Sequence, residues 1–251
     1  MKGIPKQAMV LAAGRGLRMR PLTDHMPKPM LEVAGRSLID RALDRLQEAG
    51  VEKVVVNTSY KAQMLEGHLS KRKHPRIVFS REEEALETGG GIARALPHFG
   101  EEPFFAVNGD VIWLDGPSNT LARLAGEWKE GLDALLLLHP VKLATGYDGK
   151  GDFHVNETGI LTRCKPAKTA PFVYAGVQLL HPRLFQNCPE GPFSLNLLYN
   201  RAIGSSPPAY PGPHPRRQMV ACRRPGRIEA GRYSPAWSLA PDRVSGDRTT
   251  N

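Results

Sequence analysis

Two basic side chains, Arg18 and Lys28, follow a short apolar run in a stretch of small residues, and together they could bind a polyphosphate. Residues 8–13 are typical of a buried strand, and the loop after them contains Gly14 and Gly16. Small residues let the backbone approach a ligand and turn its N–H groups toward it. Arginine adds a bidentate fork and lysine a point charge. The pattern predicts a phosphate-binding loop at the carboxyl end of a first strand, where open α/β sheets bind ligands.

Neither of the two common nucleotide-binding fingerprints fits this loop. Met19 stands where a Rossmann fingerprint needs its third glycine, and no Gly-Lys-Ser/Thr occurs anywhere in the chain. The longer pattern L-A-A-G-x-G-x-R-x-x-P-L-T over residues 11–23, followed by P-K-P at 27–29, is more specific. It resembles the signature of the sugar-1-phosphate nucleotidylyltransferases, which join a nucleoside triphosphate to a sugar 1-phosphate.

The resemblance implies roles for the residues of this segment. Arg18 would bind the β- and γ-phosphates, and Lys28 would neutralise the charge that develops around the α-phosphate, so these two are the expected catalytic residues. Backbone contacts to base and phosphate are implied for Leu11, Ala12, Ala13, Gly14 and Gly16.

A carboxylate at the end of another predicted strand is the expected metal ligand. Asn108-Gly109-Asp110 follows the apolar residues 104–107, and N-G-D is also a good β-turn sequence. A carboxylate facing the same crevice as Gly14 would suit Mg²⁺, which takes one or two carboxylates together with phosphate oxygens and water. The family carries its magnesium aspartate at this strand end, so the resemblance implies Asp110 as metal ligand and Mg²⁺ as cofactor.

An acidic, glycine-rich segment at residues 82–91 is the expected base-recognition loop. Three successive glycines before a predicted helix at 92–96 would let a planar base lie against the backbone. A carboxylate there could accept the N3–H of uracil, whereas cytosine offers an acceptor at that position. The run L-E-T-G-G-G resembles the base-recognition loop of bacterial uridylyltransferases that act on N-acetylmuramate 1-phosphate. The predicted nucleotide contacts are Glu82, Glu87, Gly89 and Gly90, with Glu83 and Glu84 on the surface.

The sugar side is expected from weaker resemblances. Residues 149–153 and 174–176 resemble acceptor-side segments of the same subfamily. Many relatives carry Glu-Lys-Pro where this chain has Cys164-Lys165-Pro166, so only the lysine can be carried over. The implied sugar-binding residues are Asn108, Asp152, Lys165 and Gly176.

Strand and helix patterns alternate through most of the chain. Short apolar runs predict buried parallel strands, and apolar residues three and four apart predict helices between them. The predicted strands are 8–13, 53–57, 77–79, 104–107 and 134–139, and the predicted helices are 37–49, 120–129 and 194–203. This order predicts an α/β fold with a doubly wound, mostly parallel sheet, as in the Rossmann-like nucleotidyltransferases. Short strands over 152–180 predict a small antiparallel addition on the sugar side.

The chain changes character after Gly204. Residues 205–251 contain eight prolines, eight arginines and no lysine, and show neither a helical nor a strand period. We therefore expect a nucleotidyltransferase domain at 1–204 and an irregular tail at 205–251. Reading one base later through residues 217–225 permits W-x-H-V-G-D-P, which resembles the W-x-[D/N/H]-V-G-T-P block that closes the family's catalytic domain. A frameshifted end is thus one hypothesis. Without that block, the chain could be a catalytically impaired nucleotide-binding protein.

Charge, cysteines and hydropathy exclude several classes of protein. The net charge is +9, of which the segment 205–251 carries +5, so the remainder is only mildly basic and nucleic-acid binding is not expected. Three well-separated cysteines indicate neither disulfides nor a zinc site. No apolar run is long enough to span a membrane. We expect a cytoplasmic protein, and the sequence leaves a homo-oligomer open.

The predicted activity is nucleotidyl transfer from a nucleoside triphosphate to a sugar 1-phosphate, with release of pyrophosphate. UTP with N-acetylmuramate 1-phosphate is the favoured substrate pair, which implies a part in peptidoglycan recycling. GTP with mannose 1-phosphate and CTP with phosphocholine are the alternatives within the class.

Overall fold

A mixed, mostly parallel sheet forms the centre of the molecule. The computed structural model describes residues 3–144 and 147–204, and the backbone of residues 218–223. The strands are β1 (Gln7–Leu11), β2 (Glu32–Val33), β3 (Arg36–Ser37), β4 (Lys53–Thr58), β5 (Arg76–Arg81), β6 (Phe104–Asn108), β7 (Leu132–Pro140), β8 (Phe153–Val155), β9 (Leu161–Arg163), β10 (Phe172–Leu180) and β11 (Gln218–Arg223).

The strand order explains why the site lies where it does. The main sheet runs β11-β7-β10-β6-β1-β4-β5, and β8 and β9 extend it beside β10. Strands β6, β1, β4 and β5 are parallel neighbours, whereas β10 is antiparallel to both β6 and β7. The carboxyl ends of β1, β4 and β6 therefore meet at one edge. The predicted doubly wound, mostly parallel sheet is confirmed, and β8 to β10 supply the antiparallel addition.

Helices cover both faces of the sheet. They are α1 (Leu22–His25), α2 (Leu38–Glu48), α3 (Ala62–Leu69), α4 (Glu87–Ala95), α5 (Thr120–Gly126) and α6 (Asn196–Ile203). Alternate residues of each strand point to opposite faces. Ala8 and Val10 accordingly join a core with α2, α3 and α5, while Met9 joins a second core with α4 and α6. None of the helices in the described part of the chain is long and apolar enough to cross a bilayer.

Helix α2 shows how local sequence sets an element. The Ser37 side chain accepts a hydrogen bond from the Asp40 N–H at 3.1 Å, so this residue caps the helix. Leu43 and Leu46 are fully buried, and Gly50 follows the helix with a φ of 84°. An amphipathic period with a cap and a glycine stop is the most readable helix signal.

Helix α4 differs from its prediction. It begins at Glu87 rather than at residue 92, so the three glycines lie inside the helix instead of before it. Because glycine has a poor helix propensity, the sequence pattern indicated a helix that begins only after the glycines. Each of the three glycines lies so close to other atoms of the protein that a side chain would not fit without displacing them, as described below.

Within the segment predicted to be an irregular tail, the described residues 218–223 form a strand. β11 pairs in parallel with β7, from Gln218 opposite Leu132 to Arg223 opposite Leu138. Pairing at a sheet edge uses main-chain hydrogen bonds, which need no alternating side-chain pattern, so the periodicity could not show it. Residues 205–217 and 224–251 lie outside the described residues, and the domain boundary at 204 and the frameshift stay predictions.

Candidate active site

A cavity of about 490 Å³ opens where β1, β4 and β6 end. Its wall is formed by residues 11–19, Lys28, Pro29, Asn57, Glu82, Ala85, Glu87, Thr88, Asn108 and Asp110. We call residues 11–19 the phosphate loop and residues 82–88 the base loop. A concave site at the carboxyl ends of parallel strands is where open α/β sheets bind ligands.

The phosphate loop folds against the segment that carries Lys28. Gly16 has a φ of 64°, and a Cβ atom there would lie 2.9 Å from both Lys28 Cβ and Thr23 Cγ2. Thr23 Oγ1 donates to the Gly16 carbonyl at 3.0 Å. Only glycine combines this backbone conformation with this close approach. Gly14, by contrast, is exposed with open space beside it, so its backbone is accessible from the cavity.

Three cations reach the cavity from this region. Arg18 is exposed and makes no ion pair with any residue that the structure describes. Lys28 forms an ion pair with Asp110 Oδ2, and the two side chains are 30% and 32% exposed. Arg15, which sequence reasoning did not single out, is also exposed in the wall. The structure thus places Arg18, Lys28 and Asp110 around one cavity, and their roles stay predictions.

Asp110 sits in a turn that is fixed to the end of β1. The Gly109 N–H donates to the Leu11 carbonyl at 2.8 Å, and a Cβ atom at Gly109 would lie 2.9 Å from that oxygen. The turn and a metal-binding role are therefore compatible. Among the described residues, no three His, Cys, Asp or Glu side chains cluster as a metal site. One carboxylate with phosphate oxygens and water nevertheless fits the donor set that Mg²⁺ takes.

The two acidic residues predicted for the base loop differ sharply. Glu82 is only 3% exposed, its Oε1 accepts from Asn57 Nδ2 at 2.7 Å, and its Oε2 accepts from the Leu86 N–H at 2.9 Å. Glu87 is exposed in the cavity wall, with a φ of 58°, and its carboxylate makes no hydrogen bond to the residues described. Of the pair, Glu87 is the carboxylate free to meet a ligand.

Gly89 and Gly90 do not line the cavity, contrary to the expectation that a base would lie against them. A Cβ atom at Gly89 would lie 2.3 Å from the Phe193 ring, and one at Gly90 would lie 2.4 Å from the Gly191 carbonyl oxygen. Both N–H groups donate to the Phe193 carbonyl, at 2.8 and 3.1 Å. Glycine is needed here so that α4 can pack against residues 191–193.

The predicted sugar-binding residues are only partly brought together. Gly176, in an irregular part of β10, has a φ of 74°, and a Cβ atom there would lie 3.3 Å from Asn108 Nδ2. Asn108 itself lines the cavity. Asp152 Oδ2 accepts from the Tyr174 N–H at 2.8 Å, which ties the start of β8 to β10. Lys165 is exposed in a turn and does not line the cavity.

Two tyrosines, the partly buried Tyr174 of β10 and the buried Tyr199 of α6, lie behind this side of the sheet. Tyr174 and Tyr199 pack edge to face with ring centroids 6.5 Å apart, and Tyr199 Oη donates to Gln178 Oε1 at 2.5 Å. Burial raises the pKa of both phenols above the ordinary value, so both remain neutral. Through this packing and the hydrogen bond to Gln178, Tyr199 supports β10.

Sequence reasoning missed Asn57, although it ends an apolar strand run. Asn57 is 2% exposed, and its Oδ1 accepts from the Ala12 N–H at 2.7 Å. The Ala12 amide is therefore already bonded, which leaves the amides of Ala13 and Gly14 as donors for a ligand. A polar residue at the carboxyl end of an otherwise apolar strand was the available signal.

Comparison with known proteins agrees with this geometry. A family model described as nucleotidyl transferase matches residues 7–181. The N-acetylmuramate alpha-1-phosphate uridylyltransferase of Caulobacter vibrioides is 44% identical over 207 residues, which are 80% of this chain and 86% of that protein. The protein of the same name from Neisseria meningitidis serogroup B is 50% identical over 109 residues, 42% of this chain and 47% of its own. A solved inositol-1-phosphate CTP transferase from T. maritima shares the fold, with a TM-score of 0.71 at 18% identity over 89% of this chain and 87% of that one.

Proposed function

Because this chain belongs to the nucleotidyl transferase family and is a sugar-1-phosphate nucleotidyltransferase, we propose that it transfers a uridylyl group from UTP to N-acetylmuramate α-1-phosphate. The proposal is supported by the 44% identity to the Caulobacter uridylyltransferase. The observation that carries it is the convergence of Arg18, Lys28 and Asp110 on one cavity whose other wall holds Glu87.

In the proposed reaction, an oxygen of the sugar 1-phosphate attacks the α-phosphorus of UTP in line. The bond from this phosphorus to the bridging oxygen breaks, and pyrophosphate leaves. Such a reaction needs positioning and charge neutralisation rather than a covalent nucleophile. We assign Arg18 to the β- and γ-phosphates, which leave, and Lys28 to the α-phosphate, where charge develops.

The backbone amides of Ala13 and Gly14 complete the proposed phosphate site. Gly14 is open to the cavity, and the positive φ of Gly16 turns the loop back toward Lys28. Successive N–H groups in such a turn form a concave donor site for an anion. Leu11 and Ala13 line the wall beside them.

Mg²⁺ fits at Asp110, with the remaining positions taken by phosphate oxygens and water. When bound, it would neutralise charge on the triphosphate and favour departure of pyrophosphate. The ion pair between Lys28 and Asp110 keeps both side chains at the mouth of the phosphate loop before substrate arrives.

Glu87 is our proposed reader of the base. Its carboxylate could accept the N3–H of uracil, and it would repel the N3 acceptor of cytosine. On the sugar side we propose Asn108 with the backbone of Gly176, and Asp152 and Lys165 as outlying contacts from the β8 to β10 addition.

Nucleotide binding tests the base assignment. Titration of the protein with each of the four ribonucleoside triphosphates and Mg²⁺ should raise the melting temperature most with UTP, because a ligand that binds only the folded state stabilises it. A Glu87→Gln variant should lose much of the preference for UTP over CTP, whereas Glu84→Gln, on the exposed side of the same loop, should keep it.

Turnover tests the reaction itself. Pyrophosphate release should require UTP, Mg²⁺ and N-acetylmuramate α-1-phosphate together. A preference for GTP with mannose 1-phosphate would move the assignment to a guanylyltransferase. Tight UTP binding without pyrophosphate release from any sugar 1-phosphate would instead identify a nucleotide-binding protein that has lost catalysis.

A further inference from the structure

A chain of buried hydrogen bonds joins the phosphate loop to the base loop through Asn57. We infer that Asn57 is a positioning residue: acting through Glu82, it holds the two loops at a fixed separation and so sets affinity and selectivity for the nucleotide. The inference rests on the proposed function in one respect, since it takes the cavity to be the nucleotide site.

The link consists of three hydrogen bonds, one between two side chains and two from backbone N–H groups to side chains. Asn57 Oδ1 accepts from the Ala12 N–H at 2.7 Å, and Asn57 Nδ2 donates to Glu82 Oε1 at 2.7 Å. Glu82 Oε2 accepts from the Leu86 N–H at 2.9 Å. Asn57 and Glu82 are 2% and 3% exposed, so water does not compete for these bonds. Segments that are far apart in sequence are thus tied at the strand ends around the cavity.

Each partner dictates which atom of the Asn57 amide must face it. A main-chain N–H only donates, so Ala12 requires Oδ1, and this leaves Nδ2 to donate to the Glu82 carboxylate. Asn57→Asp would set two carboxylates against each other. Glu82→Gln would bring its amide hydrogens against a donor, either Asn57 Nδ2 or the Leu86 N–H. The double variant Asn57→Asp/Glu82→Gln would restore every donor–acceptor pair and leave the net charge unchanged.

Gly91 supplies independent support for the link. A Cβ atom at this position would lie 2.8 Å from both Asn57 Nδ2 and Glu82 Oε1. Gly91 is buried in the first turns of α4 and has no positive φ that would require glycine. The third glycine of the run is therefore explained by the space that the Asn57–Glu82 pair occupies.

The link has a consequence for binding that packing alone would not have. The phosphate loop carries the groups for the triphosphate, and the base loop carries Glu87 for the uracil, so the separation of the loops must match the nucleotide. If the link is broken in a folded protein, the triphosphate and the uracil of UTP can no longer contact their two loops at the same time. The KM for UTP and the UTP-to-CTP selectivity should change, while the KM for the sugar phosphate should not.

The experiment compares the wild type with Asn57→Asp, Glu82→Gln and the double variant. For each protein, the melting temperature, the UTP-induced rise in it, and kcat and KM for both substrates are measured at 25 °C. We expect each single variant to raise the KM for UTP by about tenfold or more, as for a buried polar group left unsatisfied. We expect kcat and the KM for the sugar phosphate to stay within about threefold, and the double variant to recover most of the UTP affinity.

Ser80→Ala is the matched control, because Ser80 is a buried polar residue directly beside Asn57 across the β4–β5 pairing. It should leave the KM for UTP unchanged. If a single variant does not fold at 25 °C, Gly91→Ala provides a milder displacement of the same pair and should raise the KM for UTP. Single variants with wild-type UTP affinity, a double variant no better than the worse single one, or an unchanged KM in folded Gly91→Ala would each overturn the inference.

Failure of the proposed function would be distinguishable from failure of this inference. If the wild type shows no transfer from UTP, the four proteins are compared with the nucleotide that gives the wild type its largest thermal shift. Loss of that shift in the single variants and its recovery in the double variant would still support the role of Asn57.

Discussion

The residues proposed to bind the nucleotide line the cavity, whereas of those proposed to bind the sugar only Asn108 does. On the nucleotide side, Gly16 packs against Thr23 and Lys28, and Gly109 donates to the end of β1. On the sugar side, Asp152 makes one side-chain hydrogen bond to the Tyr174 N–H, and Lys165 stands exposed in a turn outside the cavity wall. A densely bonded site is organised before its ligand arrives and loses little order on binding.

This difference indicates how the two substrates would be recognised. The nucleotide would meet a preformed surface, so single changes there should have large effects. Asp152 and Lys165 on the sugar side lie outside the cavity wall, so single changes there should have small effects. The predictions below test this contrast.

The largest effect is expected at Asp110. Asp110→Asn should keep the fold, because the position is in a turn that asparagine tolerates, and should lower kcat by about a hundredfold or more, since charge stabilisation at the reacting phosphate is lost. Turnover with Mg²⁺ and the melting temperature are measured together. Glu84→Gln, a surface carboxylate, is the control. Near-wild-type activity in folded Asp110→Asn would refute the metal assignment.

Substitutions of the two cations of the nucleotide side should change different kinetic parameters. Lys28→Ala should mainly lower kcat, by about a hundredfold, because it meets charge that grows in the transition state. Arg18→Ala should mainly raise the KM for UTP, by about tenfold, because it holds phosphates that are charged in the ground state as well. Steady-state kinetics with UTP varied resolve the two. Identical profiles for the two variants would contradict the division of roles.

A smaller effect is expected on the sugar side. Lys165→Ala should raise the KM for the sugar 1-phosphate by about fivefold or less and leave that for UTP unchanged, as expected for an exposed ionic contact. Kinetics with the sugar phosphate varied provide the measurement. A loss as large as that of Lys28→Ala would show that the sugar side is as preorganised as the nucleotide side.

The smallest effect on activity is expected at Asp40, which does not line the cavity. Burial alone would raise the pKa of Asp40, but hydrogen bonds from Ser37 and His68 outweigh it and lower the pKa. Because its pKa is lowered, the ionised Asp40 side chain stabilises the fold at pH values above the ordinary aspartate pKa of about 3.9. This stabilisation is lost as the pH falls through the lowered pKa. The melting temperature of Asp40→Asn should therefore fall less steeply below about pH 4 than that of the wild type, with neutral-pH kinetics unchanged.

Local conformation was readable from the sequence, and distant contacts were not. The cap at Ser37, the buried strands and the phosphate loop follow from residue types over short spans, and the structure contains them. The sequence did not explain Asn57 or Gly89, because the atoms that each of them contacts are 25 or more residues away: Glu82 for Asn57, and Phe193 for Gly89. A pattern reports which backbone conformations a segment tolerates, but not which remote atoms it will meet.

The parallel pairing of β11 with β7 bears on how the protein behaves at high concentration. Without β11, β7 would be an edge strand, and its uncharged run Ala134–Leu138 would offer free main-chain groups to another chain. The opposite edge, β5, is guarded by an exposed arginine at each end, Arg76 and Arg81, which discourages such pairing. A chain cut after Gly204 should therefore aggregate increasingly as its concentration rises. By pairing with β7, the six residues of β11 would prevent this aggregation.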